Sequence, residues 1–303
     1  MKRILITGSS GMLGVDLCKE LCVDYELIGV DIAKAISTYS YRKCDITNKQ
    51  EIFQVVKKAR PNVVVHAAAM TDVDGCELNP EKARRINSEG AKNAALACKA
   101  AGAALIYIST DFVFDGKKKS PYKETDKTNP ISVYGDSKLK GEEAIKKAVK
   151  KHFILRTSWL YGKHGKNFVD TILAKAKGEK VLKVVDDQVG SPTYTKDLAK
   201  AIRALLDRVT KSPSHQVTCS RPRFSAPYGI YHVSNSGKVS WFDYAKEILR
   251  LAKMPAKIVP ISSEELDRPA SRPAMSVLDN SKFIKFTGYR MRSWQEALKE
   301  YVR

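Results

Sequence analysis

Long apolar runs are missing from this sequence: nowhere in its 303 residues do eighteen consecutive apolar positions occur, so it encodes no helical membrane span. Cysteine is sparse as well. Cys18, Cys22, Cys44, Cys76, Cys98 and Cys219 form no C-x-x-C pair and have no histidine partners at ligand spacing. They supply neither a zinc framework nor a dithiol centre, and read as free thiols in a reducing, cytoplasmic setting. The opening Met-Lys-Arg-Ile-Leu-Ile-Thr begins like a signal peptide, but Gly8, Ser9, Ser10 and Gly11 cut its apolar stretch short. Acidic residues are the minority charge, 33 Asp+Glu against 53 Lys+Arg, for a net charge of +20. Residues 1–150 carry 25 basic and 19 acidic side chains, and residues 151–303 carry 28 and 14. So basic a chain invites a nucleic-acid reading. The cations come, however, as scattered pairs and one triplet, Lys117 to Lys119, with no recognisable nucleic-acid module. Most of the excess reads as solvated surface, and part of it would attract an anionic substrate.

What is present begins at the third residue. Residues 3–7 are a short apolar, β-branched run that reads as a buried strand, and Met12, Leu13, Leu17 and Leu21 recur at helical spacing. Between them lies Gly8-Ser-Ser-Gly11-Met-Leu-Gly14. Strand, glycine turn and helix together aim backbone N–H groups and a positive helix end at a pyrophosphate. Gly8 would serve the tight turn, Gly11 the approach of phosphate, and Gly14 close helix–strand packing. The spacing is G-x-x-G-x-x-G, only loosely the G-x-G-x-x-G fingerprint. The next strand, Glu26 to Val30, ends in Asp31, where an acid can accept hydrogen bonds from ribose hydroxyls or merely terminate a strand.

Further on, Tyr134-Gly-Asp-Ser-Lys138 places a phenol and an ammonium four residues apart, on one face of a helix. Beside a nicotinamide, such a pair passes a proton while a hydride moves. The bland alternative is a surface Tyr–Lys pair. Strands and helices alternate elsewhere: a helix from Lys49 to Ala59, a strand from Asn62 to His66, a long helix from Pro80 to Ala101, and strands from Ala104 to Ser109 and Phe153 to Thr157. This alternation predicts an α/β fold, a doubly wound parallel, Rossmann-like sheet with a smaller C-terminal substrate-binding region. Residues 1–157 with about 195–235 would form the dinucleotide-binding part, 158–194 with about 236–303 the substrate part. The pattern predicts helices near Asn167 to Ala176, Lys196 to Leu206, Trp241 to Leu251 and Trp294 to Tyr301. A strand from Gly229 to Val233 would rejoin the sheet. Ser212 to Pro227, rich in Ser, Pro and Arg, reads as an exposed loop.

Gly8 to Gly14, Ala67-Ala-Ala69, Ser109-Thr-Asp-Phe-Val-Phe-Asp115, Tyr134 to Lys138, Arg156-Thr-Ser-Trp-Leu-Tyr-Gly162 and Ser191-Pro-Thr-Tyr194 follow one another in this order. With Cys44 to Asn48, Asn167-Phe168 and Arg272 to Asp279, the series resembles the dTDP-4-dehydrorhamnose reductase family of extended short-chain dehydrogenase/reductases over nearly the whole chain. The resemblance implies reduction of the 4-keto group of a dTDP-linked 6-deoxyhexose, with NADPH, and often NADH, as hydride source. Tyr134 would give the proton, Lys138 would bind the nicotinamide ribose, and Thr110 would hydrogen-bond the reduced oxygen. A unit charge about 4 Å from Tyr134 is worth about 4 kcal/mol at an effective dielectric of about 20. That would draw the phenol roughly three pKa units down.

The resemblance also maps Gly11, Met12 and Leu13 to the pyrophosphate and Asp31 to the ribose. Asp45 and Ile46 go to the adenine, Ala69, Met70 and Thr71 to the middle of the cofactor, and Ile108 to the nicotinamide. Asp45 alternatively caps the following helix, Ala69 and Ile108 alternatively pack between strands, and relatives often carry a polar or aromatic residue where Met70 stands. Asp111 and Trp159 map to the substrate, Trp159 through its flat face or else as a core residue. Asn167 and Arg272 meet the nucleotide, or else cap a helix and join an ion pair. Asp31 disfavours a 2′-phosphate, while Lys34, Arg42 or Lys43 would offset it. Magnesium accompanies some members, but no ligand cluster here marks a metal site, and a homodimer is the family default. Two other readings share the fold: a non-catalytic regulatory subunit similar to the methionine adenosyltransferase β subunit, and a nucleotide-sugar epimerase or dehydratase.

Overall fold

A computed structural model describes residues 1–33, 39–210 and 228–303. The expected loop from Ser212 to Pro227, with Cys219, and Lys34 lie outside these described residues. Six strands come first: β1 (Arg3–Thr7), β2 (Glu26–Asp31), β3 (Ser40–Lys43), β4 (Val63–His66), β5 (Ala104–Thr110) and β6 (His152–Thr157). With Gly229–His232 they form one seven-stranded sheet in the order Gly229–His232, β6, β5, β4, β1, β2, β3. All its pairings are parallel. β1, β4, β5 and β6 read as largely apolar runs because both faces of the sheet are covered there.

Alternate residues enter opposite cores. Ile4, Ile6, Val63, Val65, Ile106, Phe153 and Leu155 pack with Leu13, Leu17 and Leu21 of α1 (Met12–Leu21) and with Leu198, Ile202 and Leu205 of helix Thr195–Thr210. Leu5, Val64, Leu105 and Ile154 point the other way, onto Ile52 and Val56 of α2 (Lys49–Ala59), Ala91 and Ala95 of helix Gly90–Ala101, and Ile145 of helix Val133–Ala148. Each fully buried branched side chain contributes about 1.5–3 kcal/mol. Cys18, Cys44, Cys76 and Cys98 are buried free thiols and Cys22 is an exposed one.

A third apolar cluster lies outside the sheet. It gathers Tyr161, Ile172, Leu182 and Tyr194 with Tyr244, Ile248, Trp294, Leu298 and Tyr301. Its parallel ladder, Val181–Val185 on Lys257–Ile261, and the edge strand β3 escape the periodicity reading. β3 is largely exposed and polar, so it carries no apolar alternation.

The helix expected from Pro80 to Ala101 is interrupted. Pro80–Arg84 and Gly90–Ala101 are α-helical, and Arg85–Glu89 between them is a π-helical turn. The wider turn carries the buried Asn87 inward, where its amide grips both the N–H and the C=O of Met70, at 2.8 and 3.0 Å. π-turns inside helices are characteristic of functional sites.

β1 and β4 are neighbours, but the chain leaves β1 toward β2 and leaves β4 toward β5. The two connections diverge and open a crevice beyond the carboxyl ends of these strands, where ligands of doubly wound sheets bind.

Candidate active site

The glycine loop fills one end of that crevice. Gly8 has φ +71, and a Cβ there would stand 2.7 Å from the backbone N of Ala68. Gly14 sits so close beneath the turn that a Cβ would fall 2.0 Å from the carbonyl oxygen of Gly8. Gly11 holds the N-cap position of α1 with no side chain capping it, leaving first-turn amides available to an anion. Asp31 accepts hydrogen bonds from the Ser10 and Ala33 amides, each at 3.0 Å. Asp45 is not the cap of α2. That position belongs to Asn48, which accepts from the Glu51 amide, while Asp45 accepts from the Thr47 amide at 2.8 Å.

The crevice is a cleft of about 890 Å³. Gly8, Gly11, Met12, Leu13, Gly14, Asp31, Asp45, Ile46, Ala69, Thr71 and Ile108 line it, together with Thr110, Asp111, Tyr134, Lys138, Trp159 and Arg272. Residues nominated from the two halves of the sequence therefore share one cavity. Met70 does not line it: Asn87 pins its backbone from behind. Asn167 does not line it either. It caps helix Phe168–Gly178 by accepting from the Asp170 amide, and its Nδ2 donates to the Gly162 carbonyl and to the Tyr301 hydroxyl. The capping alternative holds for Asn167 because its whole side chain is used in fixing the 162–170 turn.

Thr110 closes β5, and Ser132 caps helix Val133–Ala148, whose first turn carries Tyr134. Tyr134 and Thr110 line the cleft together, and the Tyr134 ring packs edge-on against Phe112 with centroids 5.6 Å apart. Lys138 is 3% exposed and donates to the Ile108 carbonyl at 2.7 Å. Its ammonium also lies 4.2 Å from the centre of the Tyr107 ring. Burial draws the Lys138 pKa down to about 7, against a rise from Glu142.

The expected lowering of the Tyr134 pKa is not what the structure gives. Burial pushes the phenol above its ordinary range, and the nearby Asp111 adds to the rise. The Lys138 ammonium is engaged with Ile108 rather than turned to the phenol, so desolvation outweighs attraction. A phenol held protonated is the form a proton donor needs.

Glu142 lies one helical turn beyond Lys138 and joins the sheet to this helix. It accepts from Ser109 Oγ at 2.6 Å and from Arg156 Nε and Nη2 at 2.9 and 2.7 Å, with both charged side chains at most 2% exposed.

On the substrate side, Asp111 is 1% exposed and burial raises its carboxyl to about 7. Arg272 donates to Asp74 at 2.8 Å and to the Ala270 carbonyl at 2.7 Å, so the expected ion pair forms and still faces the cleft. Trp159 has φ +47, and its indole is stacked on that of Trp241. The sequence reading missed Trp241, Gln188, Ser276, Lys82, Arg85 and Lys166, all of which line the cleft. The two arginines and three lysines among the lining residues suit a phosphate-bearing ligand. Lys82 and Arg85 belong to the π-interrupted helix, whose periodicity is broken. Trp241 was legible only as a helix start, since its partner lies eighty-two residues upstream. Among the described residues, no group of three or more His, Cys, Asp or Glu side chains is placed to hold a metal ion, and no helix is long and apolar enough to cross a membrane.

The glycine cradle, the uncapped α1 terminus and the Asp31 carboxylate at the end of β2 fit a dinucleotide. Known proteins agree. Residues 1–303 match the RmlD substrate binding domain family. The chain is 40% identical over 304 residues to spore coat polysaccharide biosynthesis protein SpsK of Bacillus subtilis, covering 100% of this chain and 98% of that one. It is 38% identical to a dTDP-4-dehydrorhamnose reductase of Aggregatibacter actinomycetemcomitans, covering 99% and 98% of the two chains. A Clostridium acetobutylicum dTDP-4-dehydrorhamnose reductase superposes with TM-score 0.87 at 40% identity, covering 99% and 98%. The Bacillus anthracis reductase in complex with NADP does so with TM-score 0.87 at 39% identity, covering 99% of each chain. The chain belongs to the RmlD substrate binding domain family.

Proposed function

We propose that this protein reduces the 4-keto group of dTDP-4-dehydro-L-rhamnose to give dTDP-L-rhamnose. The observation that carries the reading is the convergence of Thr110, Tyr134 and Lys138 on one wall of the cleft that also holds the glycine turn. A reduced nicotinamide supplies the hydride when bound there. Gly11, Met12 and Leu13 would hold its pyrophosphate through backbone amides, and Asp31 would accept from its adenosine ribose. Lys138 would hold the nicotinamide ribose. Tyr134 gives its proton to the substrate oxygen that gains charge during reduction, and Thr110 hydrogen-bonds that oxygen. Preorganised donors of this kind stabilise a developing oxyanion by roughly 3–4 kcal/mol each.

NADPH is the preferred donor in this reading, with NADH also accepted. Arg42 and Lys43 of β3 lie in register with Val30 and Asp31. They offer positive charge to a 2′-phosphate that the Asp31 carboxylate alone would repel. The relative from Bacillus anthracis, solved with NADP, supports this choice. A homodimer and a cytoplasmic setting belong to the same proposal.

The test is consumption of NADPH by the purified protein with dTDP-4-dehydro-L-rhamnose, with dTDP-L-rhamnose identified as product. Cofactor binding with no turnover would instead indicate the regulatory-subunit reading, which the intact Thr110, Tyr134 and Lys138 oppose. Epimerised or dehydrated sugar without net NADPH oxidation would indicate the third.

A further inference from the structure

The polar groups beside Tyr134 continue past Thr110. The Thr110 hydroxyl is the neighbour that draws the phenol's pKa down against burial, both residues line the cleft, and that hydroxyl reaches Asp111 Oδ1 at 3.0 Å in a buried contact. The Thr110 and Ser276 hydroxyls and the backbone of its own turn draw the Asp111 pKa down against burial, and among the described residues it makes no ion pair. Its second oxygen, Oδ2, is buried without a hydrogen-bond partner among the described residues, although the residue lines the cleft. A carboxylate so placed is costly, and a neutral carboxylic acid is much less so. The titratable group facing it is Tyr134, from helix Val133–Ala148.

We propose that Asp111 restores the proton of Tyr134 through the Thr110 hydroxyl. The inference rests on the reductase reading. Each reduction leaves a new C–H bond, an alcohol and a Tyr134 phenolate. The Thr110 O–H then breaks toward the phenolate oxygen as Thr110 Oγ1 takes the proton of the Asp111 carboxylic acid. No electrons are transferred, and the negative charge moves from phenolate to carboxylate. A solvent proton, carried in through water that enters the cleft after product departure, protonates Asp111 and resets the chain. A hydroxyl is both donor and acceptor and rotates to suit, so Thr110 serves in either direction. The buried carboxyl, raised to about 7, is matched to this task near neutral pH.

The experiment is the pH dependence of kcat, with the pre-steady-state course of NADPH oxidation, for the wild type and three variants. Wild-type kcat is expected to fall as pH rises through about 7, where Asp111 loses its proton. Asp111→Asn should lower kcat by at least about tenfold. It should also abolish that limb and show a burst of one NADPH per site before a slow steady rate. Asp111→Glu should recover part of the limb. Ser276→Ala removes a hydroxyl that favours the carboxylate form, so its limb should move to higher pH. An Asp111→Asn enzyme that keeps the wild-type limb, or that changes only in KM, overturns the relay. So does a limb that Ser276→Ala leaves in place. A wild type inert toward the keto sugar overturns the reductase reading and the relay with it, whereas an active wild type confines any failure to the relay.

Discussion

The indole of Trp159 lies face to face with that of Trp241, ring centroids 3.5 Å apart and planes within 4° of parallel. Gly190 presses on the same side chain, so closely that a Cβ there would fall 2.4 Å from Cε2 of Trp159. Left-handed backbone at a bulky residue costs on the order of 1–3 kcal/mol and persists only where surroundings hold it. The stack supplies that hold, and it takes up the flat face on which a substrate ring was expected to lie. The two rings act as one wall of the cleft.

Loss of either ring is therefore expected to weaken the sugar nucleotide rather than the cofactor. Trp159→Ala and Trp241→Ala should each raise its KM by a factor corresponding to roughly 0.5–1.5 kcal/mol, the worth of one aromatic pair, because the ring left behind loses the partner that holds it in the cleft wall. NADPH affinity should change little. Separate calorimetric titrations with each ligand decide it: an equal fall in both affinities, or an unfolded protein, would make the pair core residues.

Tyr134→Phe keeps the edge contact with Phe112 and loses only the transferable proton. Turnover should fall at least about 10²-fold while NADPH binding survives. A variant that retains more than a few per cent of kcat at saturating substrate contradicts the donor role.

Lys138→Met should weaken cofactor affinity and, with it, the chemical step, because its ammonium would hold the nicotinamide ribose and so place the hydride donor. Since burial lowers the Lys138 pKa to about 7, its charge in the ligand-free protein is lost as pH rises through neutrality. NADPH affinity of the wild type should decline over that range, and that of the variant should not. Identical pH profiles for the two proteins would count against the assignment.

Glu142→Gln should destabilise the fold by about 3–5 kcal/mol, since it leaves the buried Arg156 guanidinium without its counter-charge. Urea unfolding with cofactor absent measures this. A change below about 1 kcal/mol would mean that the pair is compensated locally.

Acid should unfold the protein in a window set by two buried histidines. Burial lowers His66 and His232 from the ordinary 6.5 to about 3. Unfolded chains bind those protons first, so the stability is present above about 6.5 and is lost as pH falls toward about 3. Urea midpoints measured from pH 7 to pH 4 should fall steadily, and His232→Gln should flatten the slope. A midpoint independent of pH over this interval would exclude the assignment.

Legibility followed the range of the forces involved. The strands β1, β4, β5 and β6 were readable because burial on both faces demands continuous apolar residues, and the helices because one buried stripe imposes its period. β3 lay beyond the same reasoning, its residues being solvated, and so did the π-turn, within which Asn87 meets the backbone of Met70. Asn167 illustrates the limit for sites. Its residue type suits a nucleotide and a helix cap equally, and only the packing of Tyr301 and Gly162 around it selects the cap.

By itself the sequence determined the chemistry available: a glycine turn after a strand, an acid at the end of the next strand, a Tyr–Lys pair on one helical face, and Thr110 at a strand end. These are local facts, set by residue type and spacing within a turn or two. Tertiary structure alone decided the protonation and the enclosure. Whether Tyr134 carries its proton depends on how completely helix Val133–Ala148 is buried against β5. The pairing of Trp159 with Trp241, and the burial that leaves one oxygen of Asp111 unpartnered, arise from segments distant in the chain. Desolvation and stacking are properties of what surrounds a side chain in space, and linear spacing does not encode them.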